Sequence, residues 1–554
     1  MNTIKLKYRP FFFALLGLLV LVGCDKDEEM FFEKTRLFRP VLNEPLMAEG
    51  NSIIVNMGNI KDATSYTIEL SRDSFATTDY AVQVDTNYVV LDETTLGGEQ
   101  LFWNTIYQVQ AIAYANDPQY NSGIAELGNV RTQRFPSILN IPAPNDVIDV
   151  AARVSWVRAG AAVTSVKVFA GDDLKLSTPL SEHPVTSEEE SIGLKVVEGL
   201  EPLTTYQLAI YSGTTLRGWE FYTTLEAAID RNAANVIDLS QSEDPSAVIA
   251  AMATATDGDI ILLKKGVVYN LPSESLDRSI TIQGAYGFVE EQAVLFTTGN
   301  WNLVEGSAID HIRFIDLELR GDDPGGDYVF NPNRSGLTTV RELTFENCFI
   351  NSFRGIIRVR GEVMVDEYNI INSIVHNIGG YGIFTADTDG DNKASIANIT
   401  LQNSTFSKVN TFIQSRQNSQ SILIDNCTFN EFTSTGGRVL RYRGSDGKNN
   451  VLNGITISNS IWGHGWDPGE SGVYAVRFIA EGLGETVFNL SNNFGTANFS
   501  FSAGYELAGL PDVMYGGTAS DLWVDPYDGL NFNFKDSGFS GRLTAGDPRW
   551  RPEL

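Results

Sequence analysis

Histidine and cysteine are scarce in this chain, four and three among 554 residues. Four histidines leave little material for a His-rich metal centre. Three cysteines over this length exclude a scaffold built on disulfides. Positive charge is short as well: 40 Lys and Arg face 69 Asp and Glu, a formal net charge of −29. A field of that sign excludes nucleic acid as a partner, because neutralising phosphates takes a surplus of Lys and Arg. Past the N-terminus no apolar run approaches the roughly eighteen residues of a membrane-spanning helix. What is present is 43% hydrophobic residues, enough for real cores, and 50 glycines with 19 prolines, which point to many turns. The length suggests about three domains.

Lys5, Lys7 and Arg9 form a basic stretch, and Phe11 to Val22 is apolar apart from Gly17. That run is too short to span a bilayer and suits a signal peptide. It ends Leu21-Val22-Gly23-Cys24, which resembles a bacterial lipobox, where the cysteine thiol is acylated and becomes the new N-terminus. The expectation is a signal peptide over 1–23 and a lipid anchor on Cys24. A multi-acyl anchor holds stably where a single chain would not. The alternative is an ordinary signal peptide with a chance cysteine. Asp25-Lys26-Asp27-Glu28-Glu29 begins an acidic tether over 24–36 and resembles the surface-export signal of Bacteroidetes lipoproteins. That resemblance implies an outer-membrane location facing the exterior.

Residues 37–134 read as short alternating strands between turns, among them Ser52 to Met57, Ser65 to Leu70, Tyr88 to Leu91 and Tyr107 to Ala113. Alternation with regular turns favours a β-sandwich. Leu101, Thr105 and Tyr107 fit a loose L-x-x-x-T-x-Y pattern. Residues 136–225 repeat the plan, with Leu200-Glu201-Pro202-Leu203-Thr204-Thr205-Tyr206 as a full L-x-P-x-T-x-Y. Both modules resemble fibronectin type III, whose tyrosine corner bonds a hydroxyl back to nearby backbone. Trp103, Trp156 and Trp219 are expected to pack in cores rather than stack on sugars.

After a junction over 225–235, Asp244-Pro245-Ser246 begins a helix with Asp as N-cap and Pro at the first helical position. Val248, Ile249, Met252 and Ala255 are expected on its inner face. Seven alternating strands then end alike, at Asp316, Asn347, Asn372, Asn403, Asn426, Asn459 and Asn492, with steps of 31, 25, 31, 23, 33 and 33 residues. A repeat of this size made only of strand and turn means stacked coils. Asn tolerates the left-handed bend and can bond its neighbour along the column. The array over 236–554 resembles the right-handed parallel β-helix of the pectate-lyase superfamily, with an N-terminal capping helix. It is most similar to families known as domains of unknown function 4957 and 5123. Val524-Asp525-Pro526 through Gly546-Asp547-Pro548-Arg549-Trp550 fits the second. The fold expected is therefore all-β: two fibronectin type III-like sandwiches followed by a pectin-lyase-like solenoid. Cys348 and Cys427 lie three coils apart, about 14 Å at roughly 4.8 Å per coil. That is beyond disulfide reach, so both are expected as buried free thiols.

Aligning the third strand of each coil sets Ile357-Arg358-Val359-Arg360, Phe384-Thr385-Ala386-Asp387, Ile413-Gln414-Ser415-Arg416, Leu440-Arg441-Tyr442-Arg443 and Val476-Arg477-Phe478-Ile479 over one another. Alternation turns the apolar members mostly inward. One outward column is then Arg358, Thr385, Gln414, Arg441 and Arg477, and another Arg360, Asp387, Arg416 and Arg443. Arg354 and Arg438 lie beside them. A strongly acidic protein thus stacks arginines on one sheet, and the guanidinium fork takes carboxylates bidentately. In pectate-lyase-like helices the equivalent strands floor a uronate groove, so the resemblance implies an acidic polysaccharide as ligand. Trp462 and Trp466, in a Gly-rich loop around His464, are expected to be partly exposed and to stack on sugar rings. The alternative is an internal ion-pair ladder in which Asp366, Glu367, Asp387 or Glu481 answers the arginines.

Asp387, Asp389 and Asp391 form an acidic turn of the kind that supplies oxygens to Ca²⁺, with a plain solvated turn as the alternative. Arg416, Arg441 and Arg443 are weak candidates for β-elimination, because arginine hardly deprotonates unaided. The carboxyl pair of a glycoside hydrolase is missing. Three functions remain open. One is a surface lipoprotein capturing an acidic polysaccharide, beside an outer-membrane glycan transporter. The second is a polysaccharide lyase on the same groove, with Ca²⁺ as a cofactor it can use. The third is a structural or adhesin-like surface protein.

Overall fold

In this computed structural model the described residues are 35–552, except 274 and 435. The expected signal peptide, the expected anchor residue Cys24 and most of the expected acidic tether lie outside them. Helix is confined to short pieces, of which Ala247–Thr254 has eight residues. No described helix is long and apolar enough to cross a membrane.

The described residues divide into two compact units, those up to 140, 156–191 and 207–220 in the first and 141–155, 192–206 and those from 221 onwards in the second. In the first unit, Met47–Glu49, Ser52–Asn56 and Tyr88–Leu91 form one sheet. Tyr80–Val84, Ala63–Ser71, Ile106–Ala115 and Ala125–Arg131 form another. Their apolar members, Ile53, Val55, Tyr66, Ile68, Val109 and Ala111 among them, make one core. The Tyr107 hydroxyl accepts from Phe102 N at 3.0 Å, which is the tyrosine corner expected there. Trp156 is buried and donates to Glu190 at 3.0 Å. Trp103 and Trp219 both pack edge-on against Phe135. In the second unit the Tyr206 hydroxyl accepts from Glu201 N, also at 3.0 Å. Two sequences with different motif strength thus build the same corner.

The solenoid begins at Val236–Leu239. The helix ahead of its next strand starts at Ala247, two residues later than Asp244-Pro245 implied. The Asp244 carboxylate accepts from Ser246 N instead. Val248, Ala251 and Met252 face the core, whereas Ile249 is 39% exposed and does not share their face.

Each coil has a strand before the Asn bend, one after it and a third further on, and each pairs in parallel with its counterpart. Ser395–Gln402, Thr405–Val409 and Ile413–Ser415 are followed by Ser421–Asp425, Thr428–Phe432 and Leu440–Tyr442. The pairs Ile399↔Ile422, Thr405↔Thr428 and Ile413↔Leu440 keep the three columns in step. Because like sits over like, rings stack along the axis. Phe406, Phe429 and Trp462 lie nearly parallel at 5.2 and 4.1 Å, close to the strand spacing of about 4.8 Å.

All seven residues of the bend column, Asp316 and the six Asn, hold φ between 49° and 56°. This is left-handed space that Asn enters cheaply. Asn403 donates to Asn372 at 3.1 Å and Asn492 to Asn459 at 2.8 Å. The amide ladder breaks at Asp425, whose carboxylate takes both Asn426 and Asn459 at 2.8 and 2.9 Å. The residue after each Asn forms an inner polar column. Cys348 N donates to Ser373 Oγ, Ser373 N to Ser404 Oγ, and Cys427 N to Ser460 Oγ, at 3.0–3.1 Å. Both thiols are free and buried, standing where neighbouring coils place serine.

The C-terminal segment folds back over the second strands. Ala519, Leu522, Trp523, Phe532 and Phe539 pack on Ile461 and Phe494. Asp547, 2% exposed, accepts from Thr405 Oγ1 at 2.8 Å, and its N donates to Thr428 Oγ1 at 2.9 Å.

Candidate functional site

Strand register places the arginines. Ile357 pairs with Phe384, then Ile413, then Leu440, so Arg358, Thr385, Gln414 and Arg441 form one outward column as expected. The next coil departs from the expectation. Leu440 pairs with Ile479 and Arg441 with Glu481, across a bulge. Val439 N bonds Arg477 O, which sets Arg477 beside Arg438 rather than over Arg441. Val476 and Phe478 are buried as alternation requires. Alternation gives the facing of a strand and is blind to its register on the next coil, here set three residues from the expected pairing of Leu440 with Val476.

Asp387 is the hub of the face. Its carboxylate meets Arg358 at 2.5 Å, Arg416 at 3.3 Å and Arg443 at 3.5 Å. Burial works to raise the Asp387 carboxyl, and Arg358 and Arg416 outweigh it, leaving it below the usual range. Arg441 pairs with Glu481, and that contact holds the Glu481 carboxyl low. Asp366 and Glu367 answer no arginine among the described residues. Glu367 sits on the first sheet between Glu342 and Asn398.

Arg360 donates to Asn331 O and Oδ1 at 3.1 and 3.0 Å. Burial, then the neighbouring Arg358, pulls its pKa down. Arg438 is lowered by burial and by Arg441 and Arg477. Among the described residues Arg354, Arg360, Arg438 and Arg477 have no carboxylate within the 4.0 Å of an ion pair. Aromatic faces take two of them. Arg354 lies over Tyr381 at 4.8 Å and Tyr328 at 5.9 Å, and Arg477 over Tyr505 at 5.0 Å. Arg358 also covers Tyr381, at 4.2 Å. Gly355 makes room for this packing, since a Cβ there would lie 2.7 Å from Tyr381 Cβ.

Tyr328 and Tyr505 escaped the sequence reading. Tyr328 was legible in principle, because its strand Tyr328–Phe330 precedes the coil of Arg358 and pairs Tyr328 with Gly355. Tyr505 lies beyond the last strand used for alignment and had no pattern to mark it. Trp462 is corrected. It is fully buried, stacked on Phe429, because its strand turns it inward before the Gly-rich loop begins. It cannot meet a sugar. Trp466 is half-buried.

The acidic turn is corrected as a calcium loop. Asp387 is taken by arginines, Asp389 accepts from Ser445 N and Oγ at 3.1 and 3.0 Å, and Asp391 pairs with Lys448 at 2.9 Å. Among the described residues no three His, Cys, Asp or Glu side chains are placed to hold a metal ion. His464 is buried between Gly465 O and the Tyr527 hydroxyl, a packing role. A separate cavity of about 840 Å³ at the Asn bend is lined by Lys265, Asp316, Glu318, Arg320 and Arg549, among others. Burial raises the carboxyls of Asp316 and Glu318 there.

Fold and face together define the class: fibronectin type III-like modules ahead of a right-handed parallel β-helix with an arginine-tyrosine face. Within that helix, residues 267–409 match the domain of unknown function DUF4957, and residues 422–550 match the domain of unknown function DUF5123. The chain is similar to the crystal structure of chicken CNTN1 FN1-FN3 domains, at 12% identity and a TM-score of 0.15, over 35% of this chain and 66% of that one. It is also similar to a two-domain fibronectin type-III segment from chicken tenascin, at 13% identity and a TM-score of 0.15, over 34% of this chain and 99% of that one. No curated protein matches the chain.

Proposed function

We propose that this chain is a lipid-anchored outer-membrane protein, facing the exterior, that captures an acidic, uronate-containing polysaccharide on its arginine face. The observation that carries the reading is the imbalance of that face. Among the described residues Arg354, Arg360, Arg438 and Arg477 lack a carboxylate partner, in a protein of net charge −29. Unanswered guanidiniums packed on one sheet repel each other, and a polymer of carboxylates relieves that repulsion through bidentate contacts. The rings of Tyr381 and Tyr505 lie against two of them, so less conformational freedom is lost on binding. An anchor at Cys24 and two spacer modules raise local concentration beside an outer-membrane glycan transporter.

The test is to run the full chain with polygalacturonate, alginate and a neutral glycan, with and without Ca²⁺. Affinity electrophoresis is read beside the ultraviolet absorbance of unsaturated uronate. Retardation by the acidic polymers alone, without new absorbance, is the expected result. New absorbance converts the binder into a polysaccharide lyase. No retardation by any polyanion sinks the reading. One observation favours a structural role instead: Asp387 already answers three arginines, so part of the column is compensated from within.

A further inference from the structure

The arginines are not spread evenly along the third sheet. One coil carries Arg354, Arg358 and Arg360, and another carries Arg438, Arg441 and Arg443. The two coils between place Thr385 and Gln414 in the column where the triads place Arg358 and Arg441. Both are buried and spent on backbone, Thr385 on Tyr381 O and Gln414 on Gly380 O. The one arginine of these coils, Arg416, faces Asp387. With Arg358 and Arg443 on Asp387 and Arg441 on Glu481, the unanswered charge is Arg354 and Arg360 on the one coil and Arg438, beside Arg477 of the next coil, on the other, so it peaks twice, three coil steps apart, about 14 Å at roughly 4.8 Å per step.

One sugar residue lengthens a glycan chain by about as much as one coil lengthens the solenoid. A chain lying along the axis sets one sugar over each coil. Its first and fourth sugars then lie over the triads. The second lies over Asp387, which repels an acid turned towards the sheet. We propose that the triads are two separate anion subsites bridged by one glycan that turns an acidic group to the sheet at every third sugar, four sugars being the shortest ligand to engage both. This rests on the polysaccharide reading above and specifies its ligand. The second contact is intramolecular once the first has formed, so affinity rises in a step and not by equal increments.

The experiment measures affinities of the full chain for galacturonate and alginate oligomers of two to six sugars, beside the parent polymers. The expected result is a gain of about tenfold or more from trimer to tetramer, with less than about threefold for each further sugar. The double substitution Arg438→Gln with Arg441→Gln should bring the tetramer to within about threefold of the trimer. It should cost the trimer only about twofold, since the other triad still serves it. The step itself is read on the unaltered protein, so it stands whether or not the variant folds. Equal affinity for trimer and tetramer, or a smooth rise through the hexamer, with the polymers still retained, overturns the two-subsite inference alone. Failure of both polymers to bind overturns the polysaccharide reading and this inference together.

Discussion

Cys348 and Cys427 do the work of serine. Cys348 Sγ donates to Glu346 O at 3.3 Å and Cys427 Sγ to Asp425 O at 3.4 Å, as Ser373 and Ser404 donate to Ile371 O and Gln402 O at 2.7 Å. Burial pushes both thiols far up, so neither forms thiolate near neutrality. Cys348→Ser and Cys427→Ser are expected to change stability by less than about 1 kcal/mol in denaturant titrations. Neither native thiol should react with iodoacetamide until the fold opens. Asp387 is the opposite case, one side chain with three dependants. Asp387→Asn should lower stability by about 1–3 kcal/mol, because Arg358, Arg416 and Arg443 lose their shared charge. It should also tighten polygalacturonate binding. A variant that loses stability without gaining affinity would show that the hub only braces the sheet.

At the scale of elements, the C-terminal segment acts as a strap over the second strands. Trp550 Nε1 donates to Thr405 Oγ1 at 2.7 Å, Asn430 Nδ2 to Pro526 O at 3.2 Å, and Arg551 to Asn426 Oδ1 at 2.5 Å. Asp547→Ala would strip Thr405 of a buried partner, at a cost of about 1–3 kcal/mol measured by calorimetry. His376, on the same strands in register with Ser407, is held down to about 4 by burial and then by Lys408. Its folded value lies below its unfolded one, so the unfolded chain binds the proton more tightly. Stability should therefore fall as pH drops from about 6.5 towards 4. His376→Asn should flatten that part of the pH–stability curve. An unchanged curve would assign the acid sensitivity to other groups.

For the whole molecule the sign of charge creates a tension. A net charge of −29 repels a polyanion at long range while the triads attract it at contact. Screening shortens the long-range field from about 30 Å at 0.01 M salt to about 10 Å at 0.1 M. Affinity for polygalacturonate should therefore pass through a maximum as salt rises, where a simple basic groove would show only a decline. Affinity electrophoresis across that range reads the difference.

The sequence alone determined the solenoid, both tyrosine corners and the free thiols. Each rests on a local rule repeated at a spacing: an Asn where the backbone turns left-handed, a Tyr two residues after the Thr of L-x-x-x-T, a Ser or Cys after five of the six Asn. Alternation also chose the outward arginines Arg358, Arg360, Arg416, Arg441 and Arg443, because strand facing is a property of one strand. What a residue meets across strands is not. Only the tertiary structure moved Arg477 to Arg438, buried Trp462, spent Asp389 and Asp391 on Ser445 and Lys448, and gathered three arginines on Asp387. Those outcomes depend on strand register between coils, on how far a long side chain reaches and on loops folding over the sheet, and none of these leaves a period in the sequence.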